Sequence, residues 1–412
     1  MDNVCGLDIH KDSVFACILK TNGEKIQTQF GVTTPELDRL RDLLVEAGVS
    51  RVAMESTSVY WKPLWRILSM DFHMVLVNPY LIKQLPGRKT DVRDAEWIAT
   101  LLAKELVRES FVPDETQSAL RQYERRLHRL NRQIVHAESQ MDNQMQACNI
   151  RLSNHVSDIG GKSYRKVVQA LIEGETRPEE LLKLIHGRTV NRCGSDTLIA
   201  ALTGFVTGVD RDMLRFYMEE CLLYERQREE CLKSMEDICQ EHYKEQKELL
   251  ETIPGVSAQS AMCVLSEAGH DMATFPSASA LVGWAGLRPR NQMSAGKIKG
   301  RKITHGNRFL RIVLVQCAWA AARCQGTRFA LKYEGLKRRM PAQKALVAIA
   351  RKLLVVIWNV LAKREKYRRN LYETASEDER KASAIDYPDY VYRPETDRDT
   401  NTGHLPTPVP LW

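Results

Sequence analysis

The stretch "SVFACILKTNGEKIQTQFGV" folds the chain back on itself before any other element can join it. Asn22-Gly23 is the strongest short hairpin signal. The apolar run "NVCGLDIH" lies just upstream and reads as a third strand. Thr34-Pro35 then supplies an N-cap and a first-turn proline for a helix through "ELDRLRDLLVEAG", stopped by Gly48. "RVAMES" reads as a buried strand, "VYWKPLWRILSM" as a helix interrupted early by Pro63, and "HMVLVNP" as a strand ended by Pro79. Three strands, helix, strand, helix, strand describes a sheet that is antiparallel first and parallel afterwards.

That order is the order of an α/β RNase H-like sheet, and it gives meaning to four acids. Asp8 falls inside the first apolar strand, where a carboxylate is costly to bury unless something cationic meets it. Glu55 closes the fourth strand, which in a parallel arrangement lies beside the first. Asp91 and Asp94 stand three apart where a helix begins in "GRKTDVRDAEWIATLL", on one face and one turn apart. Taken singly, Asp91 could be an N-cap, Asp94 a first-turn acid and Glu55 a strand-end surface acid. Taken together they form an oxygen donor set suited to a pair of Mg²⁺ ions, with positions left open for phosphate oxygens.

Two long helical seams follow. Leu120, Tyr123, Leu127, Leu130, Ile134, Ala137, Met141, Met145 and Cys148 recur at spacings of three and four from Ser118 on. A second seam runs from Asp212 to Leu250 through Leu214, Tyr217, Cys221, Tyr224, Cys231, Met235, Ile238 and Leu249, broken by Arg228, His242 and Glu245. Both read as coiled coil, which calls for a partner helix. Residues 150–210 between them read as helical and polar, turned at Gly160-Gly161 and Gly194, with no catalytic signal.

Farther on, no acid occurs between Asp271 and Glu334, although eleven Lys and Arg residues do. In the middle of this stretch Ser294 lies in a loop beside Gly296 and Gly300, ringed by Arg288, Arg290, Lys297, Lys299, Arg301 and Lys302, with His305 and Arg308 just beyond. So much like charge calls for a phosphate. The serine is then either incidental or a nucleophile held against a phosphodiester, with the cations balancing charge on the phosphorane oxygens. No acid is near enough in sequence to serve as its base, and His305 is the one local alternative. "TIPGVSAQSA" fits the turn of a helix-hairpin-helix, in which N–H groups at a helix start, Gly255 among them, hold a backbone phosphate without reading sequence. The apolar faces that carry Trp284, Trp319 and Trp358 read as core rather than as base-stacking platforms.

Composition agrees with a polyanionic partner. The net charge of +8 hides an uneven layout: nine acids against four bases after Asn370 leave residues 1–370 at +13. Ten cysteines stand as singletons without CxxC or CxxH pairs, so neither a zinc ligand set nor a disulfide framework is expected. Cys5, Cys17, Cys263 and Cys317 read as small buried hydrophobes. Mean hydropathy is −0.36, no apolar run approaches a membrane span, and "MDNVCGLDIHKD" lacks the form of a secretory signal. The expected setting is the cytoplasm, with no membrane partner.

"GLDIHKDS", "MESTSVYW" and "KTDVRDAEWIA", followed by "IPGV…F…SASALVGWAGLRPRNQMSAGK…G…ITHGNRFLR", carry a resemblance. The chain resembles the DEDD transposases of bacterial insertion sequences, specifically the family numbered one-ten, over roughly residues 1–115 and 250–330. The resemblance implies a Holliday-junction-resolvase-like (RuvC-like) first domain whose metal-binding acids are Asp8, Glu55, Asp91 and Asp94, with Mg²⁺ as cofactor. It implies that Ser294 is the nucleophile of a recombinase that works through a phosphoserine. It further implies a structured bridge RNA pairing with donor and target DNA, and a homo-tetramer built as two dimers. Two departures stand out: Ser294-Ala295 where the family often has adjacent serines, and "ITHGN" where it usually has "SKRG", so that His305 replaces an expected base.

The expected organisation is therefore a RuvC-like RNase H-fold domain at 1–115 and a helical coiled-coil region with an insertion at 116–250. A mostly helical C-terminal domain with the serine loop follows at 251–369, and an acidic, disordered tail at 370–412. Two other readings use the same residues: a nuclease or junction resolvase that hydrolyses DNA with metal-activated water, and a non-catalytic RNA- or DNA-binding assembly protein.

Overall fold

Alternation along the first strands decides which side of the sheet each residue faces. In the computed structural model β1 (Asn3–Ile9), β2 (Val14–Leu19), β3 (Lys25–Phe30), β4 (Val49–Glu55) and β5 (His73–Val77) form one sheet in the order β3-β2-β1-β4-β5. β1–β2 and β2–β3 are antiparallel, whereas β1–β4 and β4–β5 are parallel. This mixed sheet is compatible with an RNase H-like domain. Cys5, Leu7 and Ile9 of β1, with Val52 and Met54 of β4, face the helices α1 (Thr34–Glu46) and α2 (Trp61–Leu68). Val4, Ala53, Val75 and Val77 take the opposite face, which α3 (Asp91–Ala103) covers with Ile98 and Leu102. Cys17, Ala95 and Ala99 complete that layer.

The structure describes residues 2–56, 58–78, 91–107, 109–289, 292–294, 297–300 and 303–368, and of 91–93, 292–294 and 297–300 the backbone alone. The tail after Asn370 lies outside the described residues. Two compact units divide the chain: residues 1–244 with 262–277, and residues 245–261 with those from 278 on.

Local expectations need three corrections in the first unit. Thr33, not Thr34, occupies the N-cap of α1, and its side chain makes no capping bond. Pro63 does not interrupt α2 but sits in its first turn, where its missing N–H has no intrahelical partner to lose. The first long helix, α4 (Glu115–Ala147), starts before Ser118 because the Asp114 carboxylate caps it, accepting from Gln117 N–H at 2.7 Å.

α4 runs along α9 (Gly208–His242), so each seam finds its partner helix within the same chain. Tyr123 leaves the seam and is 37 % exposed, while Gln117 and Glu124 are buried instead. A capping box between Thr207 and Asp210 starts α9, and Tyr243, at φ −134, ends it before α10 (Lys244–Glu251). Between the long helices lie α5 (Lys162–Ile172), α6 (Pro178–Lys183), α7 (Gly187–Cys193) and α8 (Ser195–Leu202). They share a core of Tyr164, Val167, Val168, Leu171, Leu181 and Leu198 with Met141 and Met145 of α4 and Leu214 of α9.

In α11 (Ala258–Ala268) the fully buried Glu267 meets α4 through its carboxylate, which accepts from Arg125 Nε and Nη2 at 3.1 and 3.3 Å. Arg121 adds bonds to the Ser266 and Glu267 carbonyls at 3.0 and 2.7 Å.

The second unit packs α12 (Ala278–Trp284), α13 (Arg308–Arg323), α14 (Arg328–Lys337) and α15 (Ala342–Lys363). α15 is long and apolar enough by length and composition to cross a membrane, contrary to the reading that no run approaches such a span. Leu346, Ile349, Leu353, Leu354 and Ile357 bury one face of it, and Arg351 and Lys352 interrupt the other. Trp319 on α13 is not core: it is 44 % exposed, with the Arg323 guanidinium 4.4 Å from its ring centroid. All ten cysteines are free, and Cys5, Cys17, Cys263 and Cys317 are buried as expected. Burial pushes the Cys5 thiol far up, which keeps it protonated and inert.

Candidate active site

Asp8 shares the even-numbered face of β1 with Val4 and Gly6, and Glu55 shares the face of β4 that holds Ala53. β1 and β4 are parallel with Leu7 opposite Met54, so the next step in register sets Asp8 beside Glu55. Both acids therefore point to the side that α3 covers. Gly6 decides how near α3 comes: a Cβ there would lie 2.3 Å from the Ala95 carbonyl oxygen and 2.3 Å from the Ala99 amide nitrogen. Only a glycine in the strand, against two alanines on the helix, permits backbone to lie on backbone. This contact brings the start of α3, and with it Asp94, toward Asp8.

The electrostatics record the approach. Asp8 is 8 % exposed. Burial pushes its carboxyl above the usual carboxylate range; His10 opposes the shift, and repulsion from Asp94 and Glu55 adds to it. His10 Nε2 lies 3.1 Å from Asp8 Oδ2, and its ring stands edge-on to Phe15 at 5.7 Å. Asp91 opens α3 one turn before Asp94, and its side chain lies outside the described residues.

Among the described residues no group of three or more His, Cys, Asp or Glu closes tightly enough to hold a metal ion. The donor set nevertheless fits one. It is all oxygen, it is acidic, and its buried member carries a charge cost that His10 offsets only in part and a divalent cation would remove. Reading the sequence by element order found the acids but passed over Gly6 and His10. A glycine inside a strand and a histidine two residues beyond Asp8 on the same face were the available signals.

Ser294 lies in the second unit, and its setting is a hairpin rather than a loop. β6 (Gln292–Ser294) pairs with β7 (Lys297–Gly300) in antiparallel fashion, with Ser294 opposite Lys297. Alternating side chains in "NQMSAGKIKG" favour two short strands around Ala295-Gly296. A bridge between Pro289 and Ile303 and a bond from Thr304 N–H to the Arg288 carbonyl at 2.9 Å close the base of the hairpin. Asn307 caps α13 immediately after it, accepting from Leu310 N–H at 3.0 Å. Lys297 and Lys299 lie on β7, and Arg290, Arg301 and Lys302 lie outside the described residues.

Arg288 is exposed, and its guanidinium donates to the Ser279 carbonyl and hydroxyl at 3.0 and 2.6 Å. His305 and Arg308 are exposed, the latter with its guanidinium 4.9 Å from the Phe309 ring centroid. Gly255 has φ +86, and a Cβ on it would meet the Cys317 carbonyl oxygen at 2.5 Å and the Ala321 amide at 2.6 Å. The Pro-Gly turn between α10 and α11 thus needs its glycine for packing on α13, whatever else it contacts.

Residues 5–150 match the family model of DEDD-type IS110 transposases, and residues 247–334 match that of the transposase IS116/IS110/IS902 family. The chain belongs to the IS110 family of transposases. A protein of Pseudomonas aeruginosa named as a family 20 transposase is 25 % identical over 341 residues, covering 80 % of this chain and 89 % of its own. A protein of Sinorhizobium fredii named as a transposase, y4pF/y4sB, is 32 % identical over 125 residues, covering 29 % of this chain and 32 % of its own. The acids of the IS110 chain fall within the first matched segment, and Ser294 with its ring of bases falls within the second. Such a family acts on DNA in transposition.

Proposed function

We propose that the chain cuts and rejoins DNA as an insertion-sequence recombinase, with Ser294 as nucleophile and Asp8, Glu55, Asp91 and Asp94 as the ligands of Mg²⁺ in a RuvC-like domain. The observation that carries the reading is the buried Asp8, set beside Glu55 and Asp94 on one face of the sheet at an electrostatic cost. Mg²⁺ bound by these acids would polarise phosphate oxygens and lower the pKa of a coordinated hydroxyl.

Ser294 Oγ attacks a backbone phosphorus in line. The Oγ–P bond forms as the P–O3′ bond breaks, Ser294 gives up its proton, and the departing oxygen takes one up as a free 3′-hydroxyl. Attack by the 3′-hydroxyl of a second strand reverses the balance, releasing the serine and joining the strands without loss of a phosphodiester. Arg288, Arg290, Lys297, Lys299, Arg301, Lys302, His305 and Arg308 surround the phosphate with positive charge, and the Gly255 turn holds a neighbouring phosphate by backbone N–H. Donor and target DNA are the substrates, a structured bridge RNA pairs with both, and two dimers assemble around them. The work takes place in the bacterial cytoplasm, near the nucleoid.

The acids would serve a hydrolase equally well, so the serine is the discriminating residue. Ser294→Ala is expected to lose strand cleavage and the protein–DNA adduct seen on denaturing gels, in the presence of Mg²⁺ and the guide RNA. Cleavage retained without an adduct would replace the recombinase with a nuclease.

A further inference from the structure

Neither family model reaches the segment between residue 151 and residue 246. Its charge is nonetheless laid out with care. No acid occurs between Asp158 and Glu173, nor between Glu180 and Asp196, and these two runs carry Lys162, Arg165, Lys166, Lys183, Arg188 and Arg192. The fold joins the runs: the His186 backbone N–H, at the N-cap of α7, donates to Ser163 Oγ at the start of α5, 3.0 Å away.

Two of the six bases are occupied. Arg165 bridges Glu138 and Glu225 at 2.7 and 2.8 Å, and Lys183 pairs with Glu180 at 2.8 Å. Lys162, Lys166 and Arg188 are exposed and form no ion pair among the described residues. Lys162 and Lys166 stand four apart on the outer face of α5, opposite the buried Tyr164, Val167, Val168 and Leu171.

α7 is built to the same rule. Val190 and Cys193 turn inward onto the helical core, and Arg188, Asn191 and Arg192 form an exposed strip at i, i+3 and i+4. Arg192 Nη2 donates to the His155 carbonyl at 2.6 Å, which orients the guanidinium and uses one of its five N–H groups.

We propose that this face is a docking surface for duplex DNA, with α7 offering Arg188, Asn191 and Arg192 to base edges in the major groove and Lys162 and Lys166 held on flanking phosphates. Arg and Asn are the side chains that pair bidentately with guanine and adenine edges. An α-helix enters the major groove of B-form DNA, whereas the deep, narrow major groove of A-form RNA excludes it. The surface uses none of the residues assigned to the chemistry, so it stands or falls apart from that assignment.

The test is binding of the full chain to a labelled mixed-sequence duplex across a salt series. Lys162→Ala with Lys166→Ala is expected to flatten the slope of log K against log salt by about 2, close to one unit per lost phosphate contact. Arg188→Ala with Arg192→Ala is expected to weaken binding to the same duplex by roughly ten-fold or more. Arg188→Lys with Arg192→Lys should keep the slope and still lose affinity, because lysine cannot pair bidentately with a base edge. The binding assay is run without Mg²⁺ or guide RNA, so a failed cleavage assay and a failed binding assay are told apart. The Lys162, Lys166, Arg188 and Arg192 side chains are exposed, and equal denaturation midpoints verify that each variant is folded. An unchanged slope and affinity in folded variants would overturn the proposal, as would a loss confined to a structured RNA probe.

Discussion

Gly6→Ala tests whether the carboxylate cluster depends on backbone-to-backbone packing. The new methyl carbon would lie 2.3 Å from the Ala95 oxygen and the Ala99 nitrogen, and 3.0 Å from the Ala99 Cα. Ordinary contact begins at 3.4 Å, so α3 must recede from β1 by roughly 1 Å. Side chains can turn away from such an intrusion, but these atoms belong to helical backbone and cannot. The cost belongs at the upper end of overpacking, about 3 kcal/mol. In a unit of this size that lowers the thermal midpoint by roughly 6–12 °C. The same displacement carries Asp94 away from Asp8, and an error of about 1 Å in a reacting constellation costs up to about 100-fold in rate. Differential scanning fluorimetry reads the first effect. Strand cleavage with Mg²⁺, run well below the lower midpoint, reads the second. Gly335→Ala is the control: it lies inside α14 with nothing within 4 Å of its new methyl, so it should stabilise by up to about 1 kcal/mol. If Gly6→Ala leaves midpoint and cleavage at parental values, α3 does not set the cluster by this contact.

Three further outcomes follow from buried acids. Glu267→Ala removes the buried carboxylate that Arg121 and Arg125 share at the α4–α11 contact and should cost about 3 kcal/mol, read from the urea midpoint. Burial raises the Glu124 carboxyl above its ordinary value of 4.5, with Cys263 opposing and Glu267 adding, and Oε2 has no hydrogen-bond partner among the described residues. The folded state then holds the proton longer than the unfolded state, so Glu124 costs stability as pH rises past 4.5, and Glu124→Gln should gain over the parent from that pH upward. Asp8→Asn removes the repulsion from Glu55 and Asp94, so the metal-free protein should gain stability at neutral pH. Added Mg²⁺ should raise the midpoint of the parent but not that of Asp8→Asn, as measured by thermal titration.

The sheet was legible because every strand but β3 is an apolar run, and because Asn22-Gly23 leaves one way to turn. Asp8 was legible for the opposite reason: an acid inside such a run demands an explanation. Less could be read from the helices. The seam pattern predicted a partner but could not say that α4 and α9 partner each other, since a 3.6-residue period carries no address. Glu124 and Glu267 were read past because acids on amphipathic helices normally face water; only contact with α11 on one side and α4 on the other buries them. Trp319 fell on an apolar stretch of α13 whose buried face is already filled by Leu310, Leu314, Cys317 and Ala321, so it was left outside. The serine hairpin was hidden by its glycines, which read as loop until strand pairing is seen.

Two charge patterns of opposite sign result, each repelling itself. In the first unit three acids crowd one face of a sheet, held there by small residues that leave α3 no other seat. In the second, eleven bases fall between Asp271 and Glu334 without one acid, Lys297 and Lys299 of the hairpin strand among them. Neither pattern lowers the free energy of the isolated chain, because like charges at short range cost stability in either sign. A divalent cation relieves the first and a phosphodiester relieves the second. The self-repulsion left in the free protein is therefore available as differential affinity for a backbone phosphate over any neutral ligand.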